Sequence, residues 1–158
     1  MAQYDCKTAC AITCQFENNN AKQVLLKTIN YGTSWSEIML DSTLGIKDFH
    51  FPSINTGYIL KNNGAIFKTS DGGSTWNNIN SNITVPLNCI KFSDDSIGYV
   101  AGMSGHLSKT ADGGNSWNLE QSNTTSTITS LYTFSNNVVY FKDSTNSLFK
   151  KTPLKLLP

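Results

Sequence analysis

"KTSDGGSTW", residues 68–76, is the stretch from which the fold can be read. It returns as "KTADGGNSW" at 109–117 and, altered, as "KTINYGTSW" at 27–35. Trp35, Trp76 and Trp117 therefore stand 41 residues apart, and Lys27, Lys68 and Lys109 keep the same step. Phe51 and Phe92, Gly57 and Gly98, and Tyr58 and Tyr99 are spaced alike. Phe134, Tyr140 and "FKKT" at 149–152 carry the register on by steps of 41 or 42. Several positions repeating in phase mean one structural unit copied in tandem.

Residues 45–79 show what the unit is. "IKDFHF" alternates apolar and polar side chains, as a half-buried strand does. "PSINTG" is a turn cluster, "GYIL" a short apolar strand and "KNNG" a tight hairpin in which Asn-Gly supplies positive φ. "AIFKT" is a third strand, "SDGGS" a turn and "TWNNI" a fourth strand. Residues 86–120, "PLNCIKFSDDSIGYVAGMSGHLSKTADGGNSWNLE", repeat the pattern. Four short antiparallel strands in about 40 residues make a β-propeller blade.

The quoted turn is read as structural. Asp71 and Asp112 fold their carboxylates onto backbone N–H groups within it. Gly73 and Gly114 accept positive φ. Thr75 and Ser116 bring hydroxyls to the start of the last strand, and Trp76 and Trp117 are expected to bury their rings against the neighbouring blade. In the first copy Asn30, Gly32 and Trp35 hold these places, with Asn for Asp and Tyr31 where the other copies have Gly.

"TSDGGSTW" and "TADGGNSW" resemble the Asp-box, or bacterial neuraminidase repeat. The longer stretch "NTGYILKNNGAIFKTSDGGSTW" is similar to the photosystem II stability and assembly factor-like repeats. The similarity covers 45 to about 121 well and 1–44 in part; 127–152 keep the strands without a box. It implies an all-β propeller with the box between third and fourth strands; the 41-residue period gives about four short four-stranded antiparallel blades, a small ring beside the roughly six to eight blades that the resemblance implies. Function is implied less narrowly, because such blades occur in sialidases, xyloglucanases, sortilin-type receptors and non-catalytic assembly factors.

The expectation is a single domain over 1–158, with blades at about 3–40, 45–80, 86–121 and 127–152. In one register "QYDCKT" and "AITCQF" are the first two strands, "ENNNAK" a hairpin, "QVLLKT" the third strand and "SWSEIM" the fourth. In another, Phe16 matches Phe51 and Phe92, and residues 3–8 complete the last blade. A closed monomer is placed first, ahead of a piece of a larger ring or a half-ring completed by self-association.

Composition narrows the chemistry. Charged residues make up 15% of the 158, all 12 basic residues are lysine, and the net charge is +1. No basic field invites nucleic acid. No apolar run is long enough to span a membrane. Without arginine there is no bidentate clamp for a sialoside carboxylate. Cys6, Cys10, Cys14 and Cys89 suit buried thiols or one disulfide better than a metal site, so no metal and no cofactor are expected. An exported chain, periplasmic, cell-surface or extracellular, is the expected localisation.

Candidate acids outside the boxes are Asp41, Asp48, Asp94, Asp95 and Asp143. Asp48, alternating with Phe49, is expected to face a central channel, but a glycosidase needs two flanking carboxylates. His50 and His106 lie more than a blade apart. Binding is the remaining class, and no catalytic residue is assigned. The hairpins between second and third strands share one face with the blade-to-blade loops. They bring Asn19, Asn62, Asn63, Ser104, His106 and Asn146 there as candidate hydrogen-bonding residues, and Asp48 is counted with them as a candidate binding residue. A non-enzymatic protein-binding or assembly module is therefore expected, with a glycan-binding or glycosidase-derived propeller as the alternative.

Overall fold

A computed structural model describes residues 9–17, 20–38, 45–134 and 138–152. The period-two alternation becomes four antiparallel sheets, each a meander in which chain neighbours pair. The first contains β1 (Ala9–Glu17), β2 (Asn20–Thr28) and β3 (Ser36–Ile38). The second runs β4 (Ile46–His50), β5 (Gly57–Lys61), β6 (Ile66–Thr69) and β7 (Asn77–Ile79). The third runs β8 (Leu87–Phe92), β9 (Gly98–Gly102), β10 (Leu107–Thr110) and β11 (Asn118–Leu119). The fourth has β12 (Ile128–Thr133), β13 (Val139–Asp143) and β14 (Leu148–Lys151). Among the described residues the one helical element is a 3-10 turn, Met103–Gly105.

For β1, β2 and β3 the pairing follows the first of the two registers. Cys10 pairs with Lys27 as Tyr58 pairs with Lys68, so β1 is a second strand and Phe16 does not match Phe51. In the segment "ENNNAK", expected as a hairpin, Glu17 and 20–22 are strand and Glu17 pairs with Asn20. "QYDCKT" lies outside the described residues.

Three apolar clusters join successive blades. Leu25 and Ile38 meet Ile46 and Ile59; Tyr58, Leu60 and Ile66 meet Leu87, Ile90, Phe92 and Val100; Tyr99, Ala101 and Leu107 meet Ile128, Leu131, Val139 and Phe141. Tyr58 and Phe92 stack across the second of these junctions, ring centres 3.6 Å apart. Among the described residues no such cluster joins the fourth blade to the first. Leu148, Tyr132 and Phe134 on the fourth blade are exposed.

The inner strands β4, β8 and β12 each carry a bulge at the same place. Pairing shifts between Ile46 and Asp48, between Leu87 and Cys89, and between Ile128 and Ser130. The bulged residues Lys47, Asn88 and Thr129 are again 41 apart. A bulge bends a strand and re-aims its side chains. Here it turns Lys47, Asp48, Asn88, Lys91 and Thr129 into one hollow along the inner strands.

Candidate functional site

The box turns are built around a threonine that the sequence reading passed over. Thr69, fully buried, accepts from Asp71 N and Gly73 N at 3.3 and 2.9 Å and donates to Asp71 Oδ1 at 2.7 Å. Asp71 then accepts from Thr75 N and Thr75 Oγ1. Thr110, Asp112, Gly114 and Ser116 repeat this arrangement. Thr28, Asn30, Gly32 and Ser34 do the same with an amide in place of the carboxylate. Hydrogen bonds to Thr75 hold the Asp71 carboxyl well below its usual range, and those to Ser116 bring Asp112 down to about 2.

Trp76 and Trp117 are half-buried, each packed against the cluster its blade shares with the preceding one, and Trp35 is exposed. Trp76 meets Phe51 edge-on at 5.9 Å, and Trp117 meets Phe92 at 6.1 Å. Trp76 Nε1 donates to Gly73 O; Trp117 Nε1 is buried without a partner among the described residues. Ile38 and Ile79, from the preceding blade, press where a Cβ on Gly73 or Gly114 would stand, 2.7 Å away. Glycine at these positions thus admits the neighbouring blade as well as the turn.

Asp48 stands on the inner strand, as expected, with its oxygens committed. It accepts from Phe49 N, from Ile90 N on the next blade at 2.9 Å, and from Lys91 Nζ at 2.8 Å. His50 Nδ1 accepts from Phe92 N; burial, with Lys91 nearby, lowers its pKa to about 4. Both residues tie β4 to β8. Asp143 accepts from Thr145, Ser147 and Thr124, knitting its hairpin to the preceding connection. Asp94 accepts from Ser96 N and Ile97 N inside its own turn. Cys10 and Cys89 carry free thiols; burial raises both, Cys89 to about 12. Among the described residues no group of His, Cys, Asp and Glu could hold a metal ion.

The loop face offers two hollows of one design. In the third blade, Met103, Ser104, Gly105 and His106 line about 800 Å³ with Leu119, Glu120, Gln121, Ser122 and Asn123. Ser104 and Asn123 sit at φ 54° and 60°, a conformation that side chains resist. It persists because the loops are cross-tied. Buried Ser122 Oγ donates to Gly105 O at 2.6 Å. A Cβ on Gly105 would fall 1.8 Å from Thr124 O. His106 faces Ser108 Oγ at 3.0 Å, and burial lowers its pKa.

In the second blade, Asn63 and Gly64 line the corresponding hollow with Asn78, Asn80 and Asn82. Ser104 and His106 are therefore brought together, and Asn63 stands in the equivalent site one blade away. Asn62 and Asn146 are exposed at their own hairpins and line neither hollow; Asn19 lies outside the described residues. The sequence reading missed the second wall, 119–123. Its signal was present as Leu119, an apolar residue on the outer strand where the second blade has Asn78.

Comparisons with known proteins agree with this architecture. A structure of YCF48 bound to D1 peptide aligns at TM-score 0.65 and 17% identity, over 97% of this chain and 57% of that one. YCF48 from Cyanidioschyzon merolae aligns at TM-score 0.70 and 13% identity, over 92% and 52%. The GH74 enzyme of Niastella koreensis aligns at TM-score 0.68 and 14% identity, over 95% and 29%. The chain thus spans little more than half the length of the YCF48 structures. A sequence search of curated proteins finds no match. The family described as photosynthesis system II assembly factor YCF48 matches residues 27–119. With that match spanning more than half its length, the chain belongs to the YCF48 family of repeat propellers.

Proposed function

We propose that the chain is a non-enzymatic protein-binding module of assembly or scaffold type, which receives a partner polypeptide on the loop face of its third blade. The observation that carries this is the hollow at 103–106 and 119–123. Met103 and Leu119 are 47% and 74% exposed there, beside Ser104, His106, Glu120 and Gln121 on cross-tied backbone. Exposed apolar side chains rimmed by polar groups, on a frame already ordered, suit an extended peptide. A YCF48 relative has been solved with a peptide of D1, which supports a polypeptide as the ligand class. The commitment of Asp48 to Lys91 and to backbone N–H groups favours a structural use of that carboxylate over an acid catalyst's.

The test is fluorescence anisotropy with labelled D1 peptide and with peptides selected on the immobilised chain from a phage-displayed random library. Binding should weaken roughly tenfold or more in Leu119→Asp and Met103→Asp, since apolar anchors dominate such contacts. Peptides whose binding ignores both substitutions would refute the site. Turnover of xyloglucan that disappears in Asp48→Asn would refute the non-enzymatic reading.

A further inference from the structure

The first and second blades each offer donors to the one that follows. Lys27 Nζ donates to Ile54 O and Gly72 O on the second blade, at 2.6 and 2.9 Å. Lys68 Nζ and the Tyr58 hydroxyl converge on Gly113 O of the third, at 2.9 and 3.1 Å. Lys68 sits over the Tyr58 ring at 5.5 Å. The same pair recurs as Lys109 over Tyr99 at 5.8 Å, and as Lys150 over Tyr140 at 5.6 Å on the fourth blade. The apolar position beside it recurs too. Ile66 and Leu107 are 1% and 0% exposed, each within a cluster completed by the following blade. Leu148, at the same place on the fourth blade, is 69% exposed.

The receiving turn dictates what can dock. Gly72 and Gly113 have φ of 75° and 69°. A Cβ on Gly113 would stand 2.7 Å from Lys68 Nζ, 3.0 Å from Asp95 O and 3.3 Å from the Tyr58 hydroxyl; one on Gly72 would stand 3.1 Å from Lys27 Nζ. Donors of this kind need bare backbone opposite them. In the first blade that position is Tyr31, at φ 60° and 68% exposed. A second copy offering its first blade would set a phenol where the donors require a glycine.

We propose that the outer face of the fourth blade, formed by Tyr132, Phe134, Tyr140, Leu148 and Lys150, docks a further Asp-box blade with glycine at the position of Gly72 and Gly113, and not a second copy of these 158 residues. The face continues an interface already made within the chain. The YCF48 structures, of which this chain covers 57% and 52%, leave room in the ring for such a blade.

Hydroxyl-radical footprinting tests this. One protein keeps residues 1–150 and repeats residues 69–121 in register after Lys150, which adds a box turn and a fourth strand to the last blade and then a new blade. Tyr140 and Leu148 should fall to the modification rate of Tyr58 and Ile66, their buried counterparts. A second version with tyrosine in place of the repeated Gly113 should leave them reactive. Unchanged reactivity in the glycine version, or equal protection in both, would overturn the proposal. So would a 158-residue chain that sediments as a dimer with Tyr140 and Leu148 already protected.

Discussion

Replacing Thr69 with valine should cost more than any exposed change in the turn it organises. Valine keeps the branched shape and removes the hydroxyl, which is why this exchange is not conservative in a core. In the native turn the Thr69 oxygen accepts from the buried N–H of Gly73 at 2.9 Å, and the residue has no exposed surface. Gly73 cannot turn to water, because Ile38 presses on it from the first blade. An orphaned buried donor costs about 1–3 kcal/mol, so we expect about 2 kcal/mol for Thr69→Val. In a domain of this size that is roughly 4–8 °C in Tm. Thr75→Val is the control: it also loses a hydroxyl bond to Asp71, but its groups are exposed, and it should cost under about 1 kcal/mol. Guanidinium unfolding followed by tryptophan fluorescence measures both. Equal losses for the two would refute the threonine as the organising atom of the turn.

Gly113→Ala should destabilise by about 1–3 kcal/mol through its positive φ and its clash with Lys68 Nζ; relief of part of that loss in a Lys68→Ala background, read by a double-mutant cycle, would confirm the clash. Trp76→Phe should cost about 1 kcal/mol more than Trp117→Phe, because only Trp76 has a partner for its indole N–H; chemical denaturation of the two variants decides it. His50 is held near pKa 4 in the fold, below its unfolded value of about 6.5. The folded state therefore binds fewer protons than the unfolded chain between those values. Stability should be full above pH 6.5, fall by roughly 2–3 kcal/mol on the way to pH 4, and show a smaller slope in His50→Gln; Tm against pH provides the measurement.

Local chemistry made much of this protein legible from residue order. The blades could be read because a strand's alternation and a turn's glycines act over a few residues, and the 41-residue step of Trp35, Trp76 and Trp117 repeats that local code. The box turns could be read for the same reason: Thr69, Asp71, Gly73 and Thr75 are bonded within seven residues of one another. Ser104 and His106 could be placed on the loop face because hairpins alternate ends of a meander.

What needed the tertiary structure depends on atoms a blade apart. Lys27 and Lys68 were visible as a column, but their reach to Gly72 and Gly113 is set by how blades pack. Asp48 was visible as an inward acid, yet Lys91 and Ile90 N, which occupy it, belong to the next inner strand. The bulges at Lys47, Asn88 and Thr129 lie in strands whose sequences look regular, because a bulge is a property of pairing between two strands. Closure of the ring was likewise undecided by composition. It turns on how successive sheets pack, as where Tyr58 stacks on Phe92, and among the described residues Leu148 is exposed where Ile66 and Leu107 face a blade.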